Sequence, residues 1–261
     1  MRFRHWLFNV GDEVATLSLN RPEHGNSINL ECLEELRQLS EQIERNPAVR
    51  LVVLRSEGKH MSIGMDVAVI AQMANQPYEF YAEHLAAGQK CIDTFEAITR
   101  PIIAEIKGFC IGAGVILAAC ADFRISTDRA VFALPEVKRS IGVIMGLHRV
   151  TRLVGVSAVK RMALLGENFS ARQMLDWGFL TEIVAEEKLA AASAGLAKKI
   201  LALPPLAVTL NKRIADFSYA EFLRQSQEFE LREQFLLNQT ADFREAMASF
   251  SEKRTPRYLG K

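Results

Sequence analysis

The sequence predicts an α/β fold followed by a helical C-terminal third. Two short apolar runs, residues 51–54 and 101–106, have the length and composition of buried strands. Helical patterns alternate with these strands, an order typical of βα units. From about residue 157, helical segments follow one another. We therefore expect a sheet-based core that carries a helical extension.

The N-terminal part predicts an antiparallel hairpin and then an amphipathic helix. Residues 3–9 and 13–20 alternate apolar and polar side chains around Gly11-Asp12, which is a turn signal. From residue 30 to residue 45, leucine and isoleucine recur at helical spacing with acidic residues between them. Pro47 ends this pattern. The helix should therefore bury one face and expose the other to water.

The last third of the chain predicts a succession of helices. The helical segments are 157–165, 170–177, 186–202, 206–216, 218–238 and 241–252. Residues 180–184 form the single strand-like stretch, and Pro204-Pro205 marks a stiff joint between two helices. We expect these helices to serve packing or assembly rather than to form a separate module.

The composition is that of a chain that can bury a large core. Of 261 residues, 49% are hydrophobic and 24% are charged, which excludes a disordered chain and a disulfide-stapled mini-protein. The net charge of +1 provides no overall field for nucleic acid or for an anionic membrane, so neither partner is expected. No apolar stretch has the length of a membrane span. Four cysteines without a C-x-x-C pair, and a start without a secretory h-region, predict a cytoplasmic protein.

A glycine-rich turn is the first candidate for chemistry. Gly108-x-x-x-Gly112-Ala113-Gly114 follows a predicted strand and precedes an apolar helix. Small residues let a ligand approach the backbone, and free N–H groups at a helix start can bind an oxygen that carries negative charge. A tight strand-to-helix turn that needs glycine only for packing explains the same pattern. The turn lacks the third glycine of a dinucleotide site and the lysine of a Walker loop, so neither cofactor is predicted.

The segment MSIGMD, residues 61–66, is the second candidate. It follows the strand at 51–54 and precedes a predicted helix. The side chain of Asp66 has the position of a helix N-cap. The backbone N–H of Met65 is a candidate second donor, which would complete an oxyanion hole if it faces the first glycine turn.

Glu136 is the third candidate. It lies in Leu134-Pro135-Glu136, directly after a short apolar strand. A carboxylate at this place can be a helix-start charge, an ion-pair partner of Lys138 or Arg139, or a catalytic group. The five histidines show no metal-binding spacing, so no metal is predicted, and no serine lies in a G-x-S-x-G motif.

Several short segments, taken in order, carry a family resemblance. They are Asn20-Arg21-Pro22-Glu23 with Asn26 and Asn29, residues 62–66, Gly112-Ala113-Gly114, Pro135-Glu136, Arg152-Leu153-Val154-Gly155, and Phe250-x-Glu252-Lys253-Arg254. Together these segments resemble the enoyl-CoA hydratase/isomerase family, also called the crotonase family. The resemblance covers nearly the whole chain.

The resemblance implies an architecture, an assembly and a substrate class. It implies a crotonase-like spiral of ββα turns over residues 1–195. It also implies a helical region over residues 196–261 that builds trimers and closes over CoA, in a homotrimer or a dimer of trimers. The implied substrate is an acyl-CoA thioester, so that coenzyme A is part of the substrate and no separate cofactor is needed.

The resemblance also implies roles for individual residues. The oxyanion-hole donors of the family fall on the backbone N–H groups of Met65 and Ala113. CoA-contacting positions fall on Ile63, Gly64, Met65, Asp66, Ala68, Gly112, Phe250 and Lys253. Ala68 stands where relatives often carry a CoA-contacting lysine, which places more of the binding on Phe250 and Lys253.

The glutamate positions separate the reactions of the family. Its hydratases use two glutamates that flank a water molecule; the second falls on Glu136, whereas the first falls on Ile116, which cannot transfer a proton. A single base can still remove a proton and return it elsewhere on the same acyl chain. The 3-enoyl to 2-enoyl isomerases of the family keep only the later glutamate. The additional acidic positions of dienoyl-CoA isomerases fall on Ile116 and Ile144, and a working carboxylate of other relatives falls on Gly146.

Isomerisation by Glu136 is thus the favoured function, and other functions stay open at this point. Hydration, and hydrolysis or decarboxylation of a CoA thioester, need the same oxyanion hole. A non-catalytic CoA-binding protein is compatible with Ile116, but the retained Glu136 argues against it. One branch of the family binds RNA through a basic helix, whereas the matching helix here carries five glutamates against two arginines and would repel phosphate. The sequence does not determine the acyl group of the substrate, the metabolic pathway, or whether the assembly is a trimer or a hexamer.

Overall fold

The computed structural model describes residues 3–72, 76–217 and 220–259, without the side chains of residues 220–224, and it confirms the α/β class. The strands of these ranges are β1 Trp6–Gly11, β2 Val14–Leu19, β3 Leu51–Ser56, β4 Ile102–Ile106, β5 Phe109–Ile111, β6 Phe123–Thr127, β7 Val131–Ala133, β8 Phe169–Ser170 and β9 Glu182–Val184. The helices are α1 Leu30–Arg45, α2 Val67–Gln72, α3 Tyr78–Glu96, α4 Ala113–Ala119, α5 Leu147–Leu165, α6 Ala171–Asp176, α7 Leu189–Leu201, α8 Pro205–Phe217, α9 Ala220–Asn238 and α10 Ala241–Glu252.

Two sheets form the core. The larger sheet has the strand order β1-β2-β3-β4-β6-β9, and every pair in it is parallel except β1 with β2. The smaller sheet has the order β5-β7-β8. The central strands β3 and β4 are mostly apolar and buried. One face packs against α7, and the side chains of the other face belong to the main apolar core, together with residues of α1 and α3. The short strands β5 and β8 carry too little pattern to be predicted from the sequence.

The predicted N-terminal hairpin is confirmed, but its turn lies one residue further along the chain. Trp6 pairs with Leu19, and Gly11 is still part of β1. Asp12 and Glu13 form the turn, with φ of 50° and 64°. Positive φ at both turn residues gives the twist that matches the two strands. The sequence predicted the turn at Gly11-Asp12, whereas the positive φ angles of the turn belong to Asp12 and Glu13.

The predicted helix over residues 30–45 is confirmed at both ends as α1. The Asn29 side chain accepts a hydrogen bond from the N–H of Cys32 and caps the helix. The apolar face is buried against β1 and α3, and the glutamates face outward. Capping and one-sided burial, both local signals, explain why this helix was predictable.

The C-terminal third is helical as predicted, with two corrections. α5 begins at Leu147 rather than near residue 157, because Gly155 inside it has a non-helical backbone with positive φ (φ 77°, ψ 163°) that interrupts the helical pattern. β9 covers only Glu182–Val184 of the predicted strand 180–184, because the N–H of Leu180 bonds to the carbonyl of Met174 instead of entering the sheet. The predicted division after residue 195 falls inside α7, whose buried residues pack against the large sheet.

α7 and α8 meet at the predicted proline joint. Their axes differ by 106° across Pro204-Pro205. Among the described helices, none alone is long and apolar enough to cross a membrane, and this bent pair is the one combination that meets the length and composition requirement.

A buried arginine connects three helices of the fold. The side chain of Arg149 on α5 is fully buried and forms ion pairs with Asp93 and Glu96 of α3. Its Nε lies 2.7 Å from Glu96 Oε2, and its guanidinium also donates to the carbonyl of Met145. Gln227 of α9 donates to the Asp93 carboxylate. The network fixes α9 against the core through charges that are held away from water.

Replacing Arg149 with methionine is expected to destabilise the protein by about 3 kcal/mol, because it leaves the mostly buried carboxylate of Glu96 with fewer partners. The control is Arg172→Met, which removes an exposed ion pair with Asp176 and should cost under about 1 kcal/mol. Urea denaturation curves of the two variants give the comparison. Equal losses would show that the buried network contributes no more than a surface pair.

Candidate active site

A single buried asparagine positions the segment 61–66. Asn26 is completely buried and has a φ of 57°. Its Nδ2 group donates to the carbonyls of Glu57 (2.8 Å) and His60 (2.7 Å), and its Oδ1 accepts from the N–H of Arg21 (2.9 Å). The amide thereby satisfies backbone groups on both sides of itself in the chain. The loop that leaves β3 is held in one place as a result.

Ser62 continues this connection to the glycine-rich turn. Its hydroxyl donates to the carbonyl of Asn26 (2.7 Å) and accepts from the N–H of Gly64 (3.1 Å). Its backbone pairs with the next segment, since its N–H donates to the Phe109 carbonyl and its carbonyl accepts from the N–H of Ile111. Ser62 therefore joins segment 61–66 to β5.

Glycine is required where the two segments touch. A Cβ added to Gly114 would lie 2.8 Å from the Ser62 Cβ, closer than side chains pack. A Cβ on Gly64, whose φ is 102°, would lie 3.2 Å from the carbonyl oxygen of Ile111 and 3.8 Å from the nitrogen of Ala113. The glycines thus allow the two backbone segments to lie close together. Packing requires this closeness, and two N–H groups can share one ligand only under the same condition.

The N–H groups of Met65 and Ala113 lie on these two segments. On either side of Met65, the carbonyl of Gly64 and the N–H of Asp66 bond to Ile28, so the Met65 N–H is directed away from Ile28. Ala113 is the first residue of α4, where an N–H has no partner within the helix. Neither N–H has a backbone acceptor in the part of the chain that the structure describes. Two unused donors on touching segments are suited to hold one oxygen.

Glu136 lies beside the glycine-rich turn. It follows β7 and is in the first turn of a short 3-10 helix, Pro135–Arg139. A Cβ placed on Gly112 would lie 2.7 Å from Glu136 Oε1. Its Oε2 is buried and has no hydrogen-bond partner among the described residues. The carboxyl therefore faces the residue that precedes the Ala113 donor.

Burial dominates the acidity of Glu136. It raises the pKa of the carboxyl from 4.5 to about 7, against smaller lowering effects of its own backbone and of the Arg139 charge. The ion pair with Lys138 or Arg139 that the sequence left open does not occur within the described ranges. Arg139 instead lies over the Phe250 ring, 5.0 Å from its centroid. Glu136 is thus a titratable group without a structural partner for its charge.

One cavity of about 340 Å³ brings most of the predicted residues together. Its lining includes Ile63, Gly64, Met65, Asp66, Gly112, Glu136 and Phe250. Two predicted CoA-contacting residues lie elsewhere: Ala68 is exposed on α2, and Lys253 is exposed at the C-terminal end of α10. Phe250 is contributed by α10 of the same chain, which packs beside the Glu136 turn.

The N-cap prediction for Asp66 is confirmed. Its Oδ1 accepts a hydrogen bond from the N–H of Ala68 at the start of α2 (3.1 Å), and its Oδ2 lies 3.4 Å from the Arg21 guanidinium. Asp66 and Glu136 are the acidic residues that line the cavity. Because capping and an ion pair occupy Asp66, Glu136 is the carboxyl that is available for proton transfer.

A larger opening of about 550 Å³ shares Ile63 and Phe250 with this cavity. Lys138, Arg139 and Arg254 line it. Arg254 is paired with Glu245 and Glu252, so the positive charge of the opening comes mainly from Lys138 and Arg139. Sequence reasoning considered Arg139 only as a partner of Glu136 and did not single out Lys138 or Arg254 as binding residues. Their spacing in the sequence carries no signal, because α10 brings Arg254 to the Glu136 turn only through folding.

A smaller apolar cavity of about 80 Å³ adjoins the other side and shares Met65, Ile70 and Ile141 with the central cavity. Ile144, one of the positions considered for a further carboxylate, lines it.

Ile116, by contrast, is buried in the core. A Cβ on Gly146 would lie 2.6 Å from Ile116 Cγ2 and 3.0 Å from Arg149 Nη1, so the positions of Ile116 and Gly146 face each other beside the buried guanidinium. Within the described ranges, no group of three or more potential metal ligands is present.

Comparisons with known proteins show which proteins the chain resembles along nearly its whole length. A sequence model of the protein family described as enoyl-CoA hydratase/isomerase matches residues 9–261 of the chain. The chain is 30% identical to a crotonyl-CoA hydratase of Syntrophomonas wolfei and 27% identical to a trans-2-decenoyl-[acyl-carrier-protein] isomerase of Streptococcus mutans, each alignment covering 100% of both chains. A crystal structure of an enoyl-CoA hydratase/isomerase from Xanthobacter autotrophicus Py2 superposes with a TM-score of 0.89 at 25% identity, covering 96% of this chain and 94% of that one.

The raised pKa of Glu136 predicts a pH-dependent cost to stability. Between pH 4.5 and about 7 the folded state binds a proton at Glu136 that the unfolded state releases, so stability falls as the pH rises through this window. Glu136→Gln removes that ionisation. Its unfolding free energy relative to wild type should therefore increase by about 3 kcal/mol between pH 4.5 and pH 8.5.

Urea denaturation at a series of pH values measures this difference. Glu187→Gln changes an exposed carboxylate and serves as the control, with no comparable pH-dependent gain. A difference between wild type and Glu136→Gln that stays constant with pH would contradict the assigned burial of the carboxyl.

Proposed function

The chain belongs to the enoyl-CoA hydratase/isomerase family, and from this premise we propose that it isomerises 3-enoyl-CoA to 2-enoyl-CoA with Glu136 as the proton carrier. The crotonase fold that the sequence resemblance implied is confirmed by the structural match. One observation carries the choice of reaction: among the described residues, Glu136 is the carboxyl of the cavity that is available for proton transfer. Ile116, on which the resemblance places the first glutamate of the family's hydratases, is aliphatic and buried.

The geometry supports a proton shuttle on one acyl chain. The thioester carbonyl oxygen accepts hydrogen bonds from the N–H groups of Met65 and Ala113. The Glu136 carboxylate removes a proton from C2 of the 3-enoyl chain, and the electron pair moves into a dienolate whose oxygen these donors stabilise. Protonated Glu136 then returns the proton to C4, which leaves the double bond between C2 and C3. Donors of this kind contribute about 3 kcal/mol each to the transition state.

The pKa of Glu136 fits both halves of this cycle. A group that accepts and then returns a proton works best when its pKa lies near the working pH. With the pKa at about 7, the carboxyl is present in both forms near neutral pH. The burial that gives it this pKa also keeps bulk water away from the dienolate.

Hydration of 2-enoyl-CoA is the second candidate. The names of relatives favour it, since a crotonyl-CoA hydratase of Syntrophomonas wolfei and a short-chain-enoyl-CoA hydratase of Clostridium acetobutylicum are 30% and 28% identical to the chain. Hydration needs an activated water as well as a proton donor. The aliphatic side chain of Ile116 cannot activate a water molecule, which favours isomerisation over hydration.

We also propose that coenzyme A enters as part of the substrate and that no separate cofactor takes part. The basic opening lined by Lys138, Arg139 and Arg254 adjoins the site and suits the phosphate groups of CoA. Phe250 lies between this opening and the Glu136 cavity, where its ring can pack against the pantetheine arm.

A homotrimer or a dimer of trimers is the assembly we propose. α8 exposes a row of large apolar side chains at Leu206, Leu210, Ile214 and Phe217, and Leu206 and Phe217 are more than 80% exposed. An apolar helix face of this kind is typical of a surface that another protein chain covers. α8 belongs to the C-terminal region in which the sequence predicts assembly.

Purified wild type and Glu136→Gln, each offered 3-enoyl-CoA and 2-enoyl-CoA, test the reaction. Wild type should convert the 3-enoyl to the 2-enoyl substrate without forming a hydrated product, and Glu136→Gln should lose at least about 10³-fold in rate because the proton carrier is gone. Chromatography with mass detection separates the products. Water addition by wild type would replace isomerisation with the hydratase alternative.

Leu206→Lys should weaken or abolish the proposed assembly, because it places a charge on the apolar face of α8. Light scattering coupled to size exclusion should give three or six times the mass of one chain for wild type and a smaller mass for the variant. Lys198→Ala on the preceding helix is the control for a surface substitution and should leave the mass unchanged. A monomeric wild type would refute the trimer.

A further inference from the structure

The lining of the apolar cavity beside the site includes buried polar side chains. They are Tyr81 of α3 and Gln234 and Asn238 of α9, and all three are at least 96% buried. The partly buried His84 and otherwise apolar side chains complete the lining. Buried polar groups in a pocket for a hydrocarbon tail are costly unless they are paired. Their partners therefore indicate what the pocket is built to hold.

Gln234 and Asn238 form a fixed hydrogen-bonded chain. Gln234 Oε1 accepts from the N–H of Gly142 (2.6 Å), and Gln234 Nε2 donates to Asn238 Oδ1 (2.6 Å). Both polar ends of Gln234 and the oxygen of Asn238 are thus occupied. The chain connects α9 to the loop that follows Glu136.

The Tyr81 hydroxyl is the group left without a well-formed hydrogen bond. Its oxygen is buried and has no hydrogen bond of ordinary length and angle to a described residue. A weaker hydrogen-bonding contact with Asn238 lowers the pKa of Tyr81, although burial has the larger effect and raises it. A buried hydroxyl that is not fully paired is destabilising, whereas phenylalanine would fill the same space without this cost. A tyrosine at this position is explained if the bound substrate supplies the well-formed hydrogen bond that is missing.

We propose that the acyl group of the substrate carries an uncharged oxygen, a hydroxyl or a carbonyl, which hydrogen-bonds to the Tyr81 hydroxyl in this cavity. The inference rests on the proposed acyl-CoA function, because the cavity is the continuation of the Glu136 site through Met65, Ile70 and Ile141.

Charge and size restrict the group further. Among the described residues, the lining contains no lysine or arginine, and its basic group is His84, whose Nδ1 lies 2.8 Å from the Phe80 carbonyl oxygen. A carboxylate on the acyl chain would therefore be buried without a permanently charged cation. The cavity volume of about 80 Å³ is small, so only a short part of an acyl chain can enter it. The substrate is therefore a short acyl chain that ends in a small polar group. A site built to hydrogen-bond such a group discriminates against an analogue that lacks it.

Saturated CoA thioesters in matched pairs test the proposal by binding alone. Pentanoyl-CoA is compared with 5-hydroxypentanoyl-CoA, and hexanoyl-CoA with 5-oxohexanoyl-CoA, by calorimetric titration of full-length wild type, Tyr81→Phe and Tyr78→Phe. Wild type should bind the polar member of at least one pair about tenfold more tightly than its alkyl partner. The pair that shows the preference identifies the hydroxyl or the carbonyl as the partner.

Tyr81→Phe should lose this preference and keep its affinity for the alkyl ligands within about twofold. Tyr78→Phe changes an exposed tyrosine outside the cavity on the same helix and should bind as wild type does. Alkyl ligands that bind wild type as tightly as their polar partners, or a preference that persists in Tyr81→Phe, would overturn the proposal while leaving the acyl-CoA function intact. If wild type binds no acyl-CoA, the proposed function fails and the inference fails with it.

Discussion

The amide of Asn26 is the constraint on which the site depends. Its two donors and one acceptor bond to backbone groups of Glu57, His60 and Arg21, and its own carbonyl accepts the Ser62 hydroxyl. Asparagine combines a short amide with tolerance of a left-handed backbone, which is the conformation found here. A longer amide would reach different atoms, and a hydroxyl would supply fewer bonds. The placement of the Met65 donor follows from this one side chain.

The same close packing gives Glu136 its chemical character. Gly114 leaves room for Ser62, Gly112 leaves room for the Glu136 carboxyl, and Gly64 lets its backbone approach the Ile111 carbonyl with a positive φ. Water is thereby excluded from the carboxyl, and the desolvation raises its pKa. The stability that the fold gives up to keep this carboxyl buried is the physical origin of its ability to both take and return a proton near neutral pH.

Local signals made much of the fold predictable. The apolar period of α1 and Pro47 predicted both ends of that helix, and the Asp66 cap was likewise predicted correctly from its place before a helix. The predicted start of α5 was wrong because Gly155, with a positive φ, interrupts the helical pattern inside that element. The oxyanion segments and Glu136 were identified as candidates from their motifs, and it was family resemblance that suggested they meet. The basic opening at Arg254 and the polar group at Tyr81 and Asn238 could not be predicted, because tertiary folding alone brings α10 and α9 to the site.

Two separate parts of the chain form the site and the cavities beside it. The hydrogen-bonding core of the site comes from segments between Asn26 and Glu136, whereas Gln234, Asn238 and Phe250 are contributed by α9 and α10. Substitutions on these two helices can change which acyl group fits without disturbing the bonds of Asn26. During evolution, substitutions in α9 and α10 can therefore alter the shape of the cavity while the residues between Asn26 and Glu136 stay the same.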